Sequence, residues 1–151
     1  MGVPVLKKLL SILLLVLATV VSMAGDASTL KMRIVENLAH LLVQDEAVPK
    51  VYIDPRLRLP LDGKNLSIEP VKDCRKAQIL FVTDIDSLEK RCPLVRQRRI
   101  VTFSYRDYLR HRSLATGAFF WQKGRPNIVI NAKMVKRFGL RIPRAYEKYV
   151  E

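Results

Sequence analysis

The 151-residue chain has few of the residue types that most often carry out chemistry. It has two histidines, two cysteines, six glycines and one tryptophan, and its 14 acidic residues face 27 lysines and arginines. His40 and His111 lack the spacing of metal ligands, so no zinc or other metal site is expected. No Gly-x-Ser-x-Gly motif marks a nucleophilic serine, and no glycine-rich loop is present to hold a phosphate. The chain is therefore predicted to be non-enzymatic and to need no cofactor.

Acidic residues form one pattern that deserves an enzymatic interpretation. Asp84 and Asp86 directly follow a predicted buried strand, where open α/β sheets bind ligands, and such a pair could hold Mg²⁺ or accept a phosphoryl group. Capping of the helix that follows explains both residues more simply, and Glu89 three places on resembles a capping box. We interpret the pair as structural.

Neither histidine is predicted to bind a metal ion. His40 follows Glu36 by four residues on the polar side of a helix, a spacing that favours a surface pair. His111 lies between Arg110 and Arg112, and positive neighbours disfavour both its protonation and metal binding.

Long apolar runs are absent except at the N-terminus. Lys7 and Lys8 precede an apolar stretch over 9–24, and the small residues Ser22 and Ala24 stand before Gly25. This layout predicts a cleaved signal peptide over residues 1–24 and export of the protein. An uncleaved anchor is the alternative, but sixteen helical residues span roughly 24 Å, less than the ~30 Å hydrocarbon core.

Charge is divided unevenly along the remaining chain. Residues 25–89 carry 9 basic and 11 acidic residues, whereas residues 90–151 carry 16 basic and 3 acidic ones. In an exported protein such an excess favours an anionic envelope surface or an acidic protein partner over nucleic acid. A basic surface that mainly confers solubility is the alternative.

Export gives the two cysteines a meaning. Cys74 and Cys92 enclose seventeen residues, and an oxidising compartment favours a disulfide bond between them. The chain between them is predicted to run up a strand and return in a helix, which brings the two together. Such a closure stabilises a domain by about 3 kcal/mol. Two separate free thiols are the alternative on spacing alone.

Hydrophobic periodicity predicts alternating helices and strands. Strands are predicted at 51–53, 66–71, 77–83, 99–103, 117–122 and 127–130. Helices are predicted at 29–43, 86–91, 104–112 and 132–138, with a last short one from Pro143. The expected caps are Ser28 or Thr29, Ser104 and Asn131, with Gly139 ending the fourth helix. The prediction is a single α/β domain over 25–151: a mixed sheet of five to six strands layered by helices, with a C-terminal β-hairpin followed by a helix.

Consecutive aromatic residues lie on the fifth predicted strand. Phe119, Phe120 and Trp121 must point to alternate faces, so some are buried and others are not. Core packing is the simpler interpretation. If Trp121 is exposed beside Lys123 and Arg125, the three residues predict a partner-binding site, because Trp and Arg dominate interface hot spots.

From Cys74 onward, the order of features resembles the YfiR-like family of bacterial periplasmic proteins. The resemblance covers residues 74–142 and rests on the stretches 74–82, 100–104 and 117–140. In the last stretch, Gly-x₆-Gly-x₅-Ile-Asn and a basic helix ending Phe-Gly-Leu-Arg-Ile match that family's closing hairpin and helix. The family's aromatic-Trp-Pro segment after the first helix and its usual leucine-containing tail are replaced here by 41–46 and 143–149.

The resemblance implies a non-enzymatic periplasmic regulator. Such a protein binds the periplasmic part of a membrane-bound signalling protein, a diguanylate cyclase or a sensor kinase, and changes its output by favouring one conformation. Cys74 and Cys92 are then candidates for a redox event. The alternative is a periplasmic binding module whose basic half captures an anionic solute, lipid or polymer. The oligomeric state stays open, a homodimer included.

Overall fold

The structure is a computed structural model that describes residues 27–62, 65–93 and 95–151. The predicted signal peptide, residues 1–24, lies outside these ranges. Within them, no helix combines the length and the hydropathy required to cross a bilayer.

A mixed sheet organises the described part of the chain. Its six strands are Lys50–Ile53 (β1), Glu69–Pro70 (β2), Ile79–Val82 (β3), Arg99–Thr102 (β4), Gly117–Gln122 (β5) and Arg125–Ile130 (β6). The spatial order is β2-β1-β3-β4-β5-β6, parallel throughout except for the antiparallel β5–β6 hairpin. The predicted α/β class is therefore confirmed. We call the end where β1 to β5 finish the carboxyl edge, and the opposite end the amino edge.

Helices cover both faces of this sheet. They are α1 (27–42), α2 (Ile85–Arg91), α3 (Tyr105–Arg110) and α4 (Ala132–Arg137), followed by a 3₁₀ segment at Arg144–Tyr149. Apolar side chains of α1, together with Val135 of α4, pack on one face against β1, β3 and Phe119 of β5. Ile85 and Leu88 of α2 and Tyr108 of α3 pack on the other face. β3 is buried at all four positions, as its apolar sequence predicts for a central strand.

Most predicted helix ends agree with the structure. Asp84, Ser104 and Asn131 each accept a hydrogen bond from the first turn of α2, α3 and α4. The prediction that Ser28 or Thr29 caps the first helix is wrong, because both lie inside α1. Serine and threonine favour helix starts only where the preceding backbone is not helical.

Only β5 has the predicted bounds, and the differences at β2 and β6 have a clear physical reason. β2 is reduced to Glu69–Pro70, since proline cannot donate to a ladder and is tolerated in a sheet only at an edge. β6 begins two residues early, at Arg125, because only Lys123 and Gly124 form the turn. Both turn residues have positive φ, 51° and 72°, as a two-residue type I′ turn requires.

Candidate functional site at the carboxyl edge of the sheet

The chain connections define a crevice between β1 and β3. The chain leaves β1 toward β2 on one side and leaves β3 toward β4 on the other. Such a reversal opens a gap at the carboxyl edge, where open α/β sheets bind ligands. The residues that follow the two strands, Asp54 after β1 and Thr83 and Asp84 after β3, meet there.

Asp54 is the central charged residue of this crevice and is fully buried. Its Oδ1 accepts from the Arg56 backbone N–H at 3.0 Å and from Arg56 Nε at 3.1 Å. Its Oδ2 accepts from an Arg56 Nη at 2.7 Å, from Thr83 Oγ1 at 3.2 Å and from an Arg91 Nη at 3.4 Å. Arg56 also lies 3.3 Å from Asp84. We call Asp54, Arg56, Thr83, Asp84 and Arg91 the switch-point cluster.

These contacts decide the charge of Asp54. Burial alone would raise its pKa, but the hydrogen bonds from the Arg56 side chain and backbone, the charge of Arg56 and the bond from Thr83 lower it from 3.8 to about 2. The carboxylate is thus ionised at neutral pH, and both of its oxygens accept several bonds. Such a group holds three chain segments together and has no oxygen left for a metal ion or a proton transfer.

Asp84 and Asp86, the pair considered as a possible magnesium or phosphoryl site, make different contacts. Asp84 Oδ1 accepts from the Ser87 N–H at 2.7 Å and so caps α2, as predicted. Asp86 lies in the first turn of α2 and faces α3, where it lies 3.6 Å from Arg110 and 3.2 Å from His111. Within 27–62, 65–93 and 95–151, no group of three or more His, Cys, Asp or Glu side chains is placed to hold a metal ion.

A second buried carboxylate lies at the end of β4. Asp107 Oδ2 accepts from Thr102 Oγ1 at 2.6 Å and from the Ile85 N–H at 3.1 Å. Its Oδ1 lies 3.6 Å from His111 Nε2. Asp107 therefore fixes the start of α2 against α3.

The environments of both histidines differ from the sequence prediction. His111 is only 16% exposed, and its Nε2 lies 3.2 Å from Asp86 and 3.6 Å from Asp107, so carboxylates face it as well as its positive neighbours. His40 does not pair directly with Glu36. Instead, its Nε2 bonds to the Ser67 carbonyl, while the Ser67 hydroxyl donates to Glu36.

The residues predicted as a partner site lie at the end of the β5–β6 hairpin. We call Trp121, Lys123, Gly124 and Arg125 the hairpin tip. Trp121 is 43% exposed, and its ring centroid lies 6.2 Å from that of Phe119. Strand alternation places it on the α1 face, while Arg125 lies on the other face and lines, with Lys123, a shallow pocket of about 390 Å³. The hairpin tip therefore presents an aromatic side and a basic side.

The predicted disulfide bond is present. It joins Cys74, in a 3₁₀ turn before β3, to Cys92 at the end of α2, with the Cα atoms 6.1 Å apart. Cys92 is almost completely buried. The bond ties the second end of α2 to the sheet.

Sequence reasoning missed Asp54 and Asp107 as buried charges. The available signal was an acidic residue directly after a buried strand with an arginine two places on, as in Asp54-Pro55-Arg56. The prediction ended the first strand at residue 53 and gave Asp54 no role, although a carboxylate at that place faces the crevice of an α/β sheet.

Fold and site together define a single α/β domain with a disulfide bond, whose carboxyl edge is held by ion pairs to a buried carboxylate. In comparisons with known proteins, no family model, no curated protein and no solved structure matches the chain. The resemblance to the YfiR-like family therefore stays a prediction from its sequence motifs.

Proposed function

We propose that the protein is an exported, non-enzymatic regulator that binds the periplasmic part of a membrane-bound signalling protein, a diguanylate cyclase or a sensor kinase. The observation that carries the proposal is the exposure of Trp121 at the hairpin tip, whose opposite side carries Lys123 and Arg125. Tryptophan and arginine are the residue types that dominate interface hot spots.

The disulfide bond supports the compartment. Disulfides persist in oxidising compartments and are rare in the cytosol of most organisms, so the Cys74–Cys92 bond agrees with export by the predicted signal peptide. A periplasmic protein is positioned to meet only the external part of a membrane protein.

The geometry of the carboxyl edge supports a binding role. The crevice that would hold a substrate in an α/β enzyme is occupied by the switch-point cluster, in which Asp54 is bonded to Arg56, Thr83 and Arg91. These bonds join three segments of the chain to one another. A binding surface that is ordered in advance loses little conformational entropy when it binds a receptor and favours one of the receptor's conformations.

Site-specific crosslinking in the producing cell tests the proposal. A photo-crosslinking amino acid is placed at Trp121 or, as a matched control, at Leu109, which is 46% exposed on α3. We expect position 121 to capture a membrane-bound cyclase or kinase and position 109 not to. Equal capture at both positions, or capture of no such protein from position 121, would contradict the proposal.

The contribution of Trp121 to binding is measured as a change in affinity for the captured partner. Trp121→Ala should weaken binding to the partner's isolated periplasmic part by about 2 kcal/mol, roughly thirtyfold, because hot-spot aromatics contribute that much. Leu109→Ala should leave the affinity within about twofold. Circular dichroism shows whether Trp121→Ala is folded, since loss of the fold would identify Trp121 as a core residue instead.

A further inference from the structure

At the amino edge, the first residue of β4 is an arginine directed into the protein. Arg99 is aligned with Ile79 of β3, so its side chain lies on the face covered by α1 and α4. Only 18% of this side chain is exposed, and its Nε has almost no contact with solvent. A guanidinium group in such a position is expected to be hydrogen-bonded.

The Arg99 side chain makes no such hydrogen bond to any residue that the structure describes. Its Nε has no partner among the described residues, and the nearest carboxylate, Asp45, lies 3.9 Å from an Nη atom. That distance permits electrostatic attraction but exceeds the length of a hydrogen bond. Asp45 is itself 70% exposed, so it neither buries nor neutralises the guanidinium fully.

The surroundings of Arg99 form a pocket of about 350 Å³. Its walls are Gln44, Asp45, Arg99, Phe138, Gly139 and Leu140, and we call it the Arg99 pocket. The Cζ of Arg99 lies 4.9 Å from the centre of the Phe138 ring, and that of Arg137 lies 5.8 Å from the same centre. A guanidinium stacked on a ring keeps its N–H groups in the plane, available for two parallel bonds to an oxyanion.

The pocket wall is held in place before any ligand binds. Gln44 donates to the carbonyls of Leu41 and Arg141 at 2.9 and 2.6 Å and accepts from the Arg141 N–H at 3.0 Å. These bonds join the end of α1 to the segment after α4. A wall fixed in this way does not have to be ordered on binding, which favours affinity.

We propose that the Arg99 pocket binds an oxyanion, a carboxylate or a phosphate group, through the guanidinium of Arg99. Asp45 lines the same pocket and is 70% exposed, so its negative charge competes with the anion and lowers the affinity. Arg137, 5.8 Å from the centre of the Phe138 ring, adds a second positive charge. The proposal does not depend on the hairpin tip, which is at the opposite edge of the sheet.

The test follows the side-chain N–H resonances of arginine by NMR in the folded protein. Inorganic phosphate and acetate are titrated at constant ionic strength, with chloride as the balancing anion. We expect the Arg99 Nε–H signal to shift in a saturable manner with at least one of the two. Arg99→Met, followed through the backbone amide of Gly139 in the pocket wall, should weaken binding at least tenfold, because bonds to a charged group contribute that much.

Two further variants keep the test decisive. Asp45→Asn removes only the competing charge from an exposed residue, so it should tighten binding by about fivefold. Arg106→Gln, on the exposed surface of α3, makes the same change in net charge as Arg99→Met and should leave the affinity unchanged. If Asp45→Asn does not tighten binding, or if Arg106→Gln weakens it as much as Arg99→Met does, the proposal is wrong.

Vesicles distinguish the source of the oxyanion. If a lipid headgroup is the ligand, phosphatidylglycerol vesicles should retain the wild-type protein and Asp45→Asn but not Arg99→Met, whereas phosphatidylcholine vesicles retain none. If a free anion is the ligand, saturable binding of phosphate or acetate occurs without vesicle retention. No saturable response to phosphate, acetate or either vesicle would overturn the proposal.

Discussion

Two inward-directed charged residues lie at opposite ends of the same sheet, and their side chains differ in how completely they are hydrogen-bonded. Asp54 at the carboxyl edge is fully buried and accepts hydrogen bonds from Arg56, Thr83 and Arg91. Arg99 at the amino edge is four-fifths buried and makes no hydrogen bond among the described residues.

The difference separates a charge that holds the fold from a charge that is free to bind. Desolvation of an ion costs several kcal/mol, and only complete pairing offsets that cost. Asp54 receives that pairing within the domain, so its charge contributes to stability. Among the described residues, the Arg99 guanidinium has only Asp45, at 3.9 Å, and the Phe138 ring as partners, so its N–H groups keep their capacity to bond.

Removing the partner of Asp54 should have the largest effect. Arg56→Ala leaves a buried carboxylate without its main donor, so we expect the largest loss of unfolding free energy in this series, measured with urea. Arg91→Ala is the matched control. Arg91 is as exposed as Arg56 but reaches the same Oδ2 at 3.4 Å rather than 2.7 Å, so its removal should cost less than about 1 kcal/mol. Equal losses would show that Arg56 is not the main support of Asp54.

Acid should weaken the carboxyl edge by a smaller amount. The pKa of Asp54 is about 2 in the folded chain, below the ordinary 3.8, so its stabilisation is present above pH 3.8 and is lost as the pH falls through 2. The difference corresponds to about 2 kcal/mol. Asp54→Asn should remove this part of the pH dependence. The measurement is the free energy of unfolding as a function of pH, between about pH 5 and about pH 2.

Asp73 provides the control for this titration. Its hydrogen bonds to the Arg75 side chain and backbone also lower its pKa, but it lies on the surface, where solvent screens the effect. Asp73→Asn should therefore leave the acid dependence close to that of the wild type. A flatter profile in Asp73→Asn than in Asp54→Asn would contradict the assignment.

The smallest effect is expected at Arg99. Arg99→Met keeps the length of the side chain and its contact with Phe138 while removing a charge that has no hydrogen bond. We expect the free energy of unfolding to change by less than about 1 kcal/mol, in contrast to Arg56→Ala. A loss as large as that of Arg56→Ala, measured in the same urea series, would show that Arg99 supports the fold rather than a ligand.

The sequence was sufficient for features that depend on neighbouring residues. Ser104 and Asn131 were predicted as caps because a cap acts on backbone groups two or three positions away. β5 was predicted with its observed bounds, since a turn with Gly124 follows it. The disulfide bond was predicted because a strand and a short helix return the chain to its starting point.

The two inward-directed charges were not predicted because distant segments create their surroundings. Asp54 is bonded to Thr83, 29 residues away, and Arg99 lies between Asp45 and Phe138, 54 and 39 residues away. Counting charges along the chain assigned Arg99 to a general basic half. The burial of Arg99 depends on where α1 and α4 end, and the residues next to Arg99 in the sequence do not indicate this.

The short helix α2 is attached to the rest of the domain at both of its ends. At one end, Asp84 joins it to the ion pairs of Asp54, and at the other Cys92 joins it covalently to Cys74. A helix of seven residues is roughly 10 Å long, and it is attached covalently at one end and by ion pairs at the other. The disulfide bond therefore helps to fix the position of the crevice, although two turns of helix separate them.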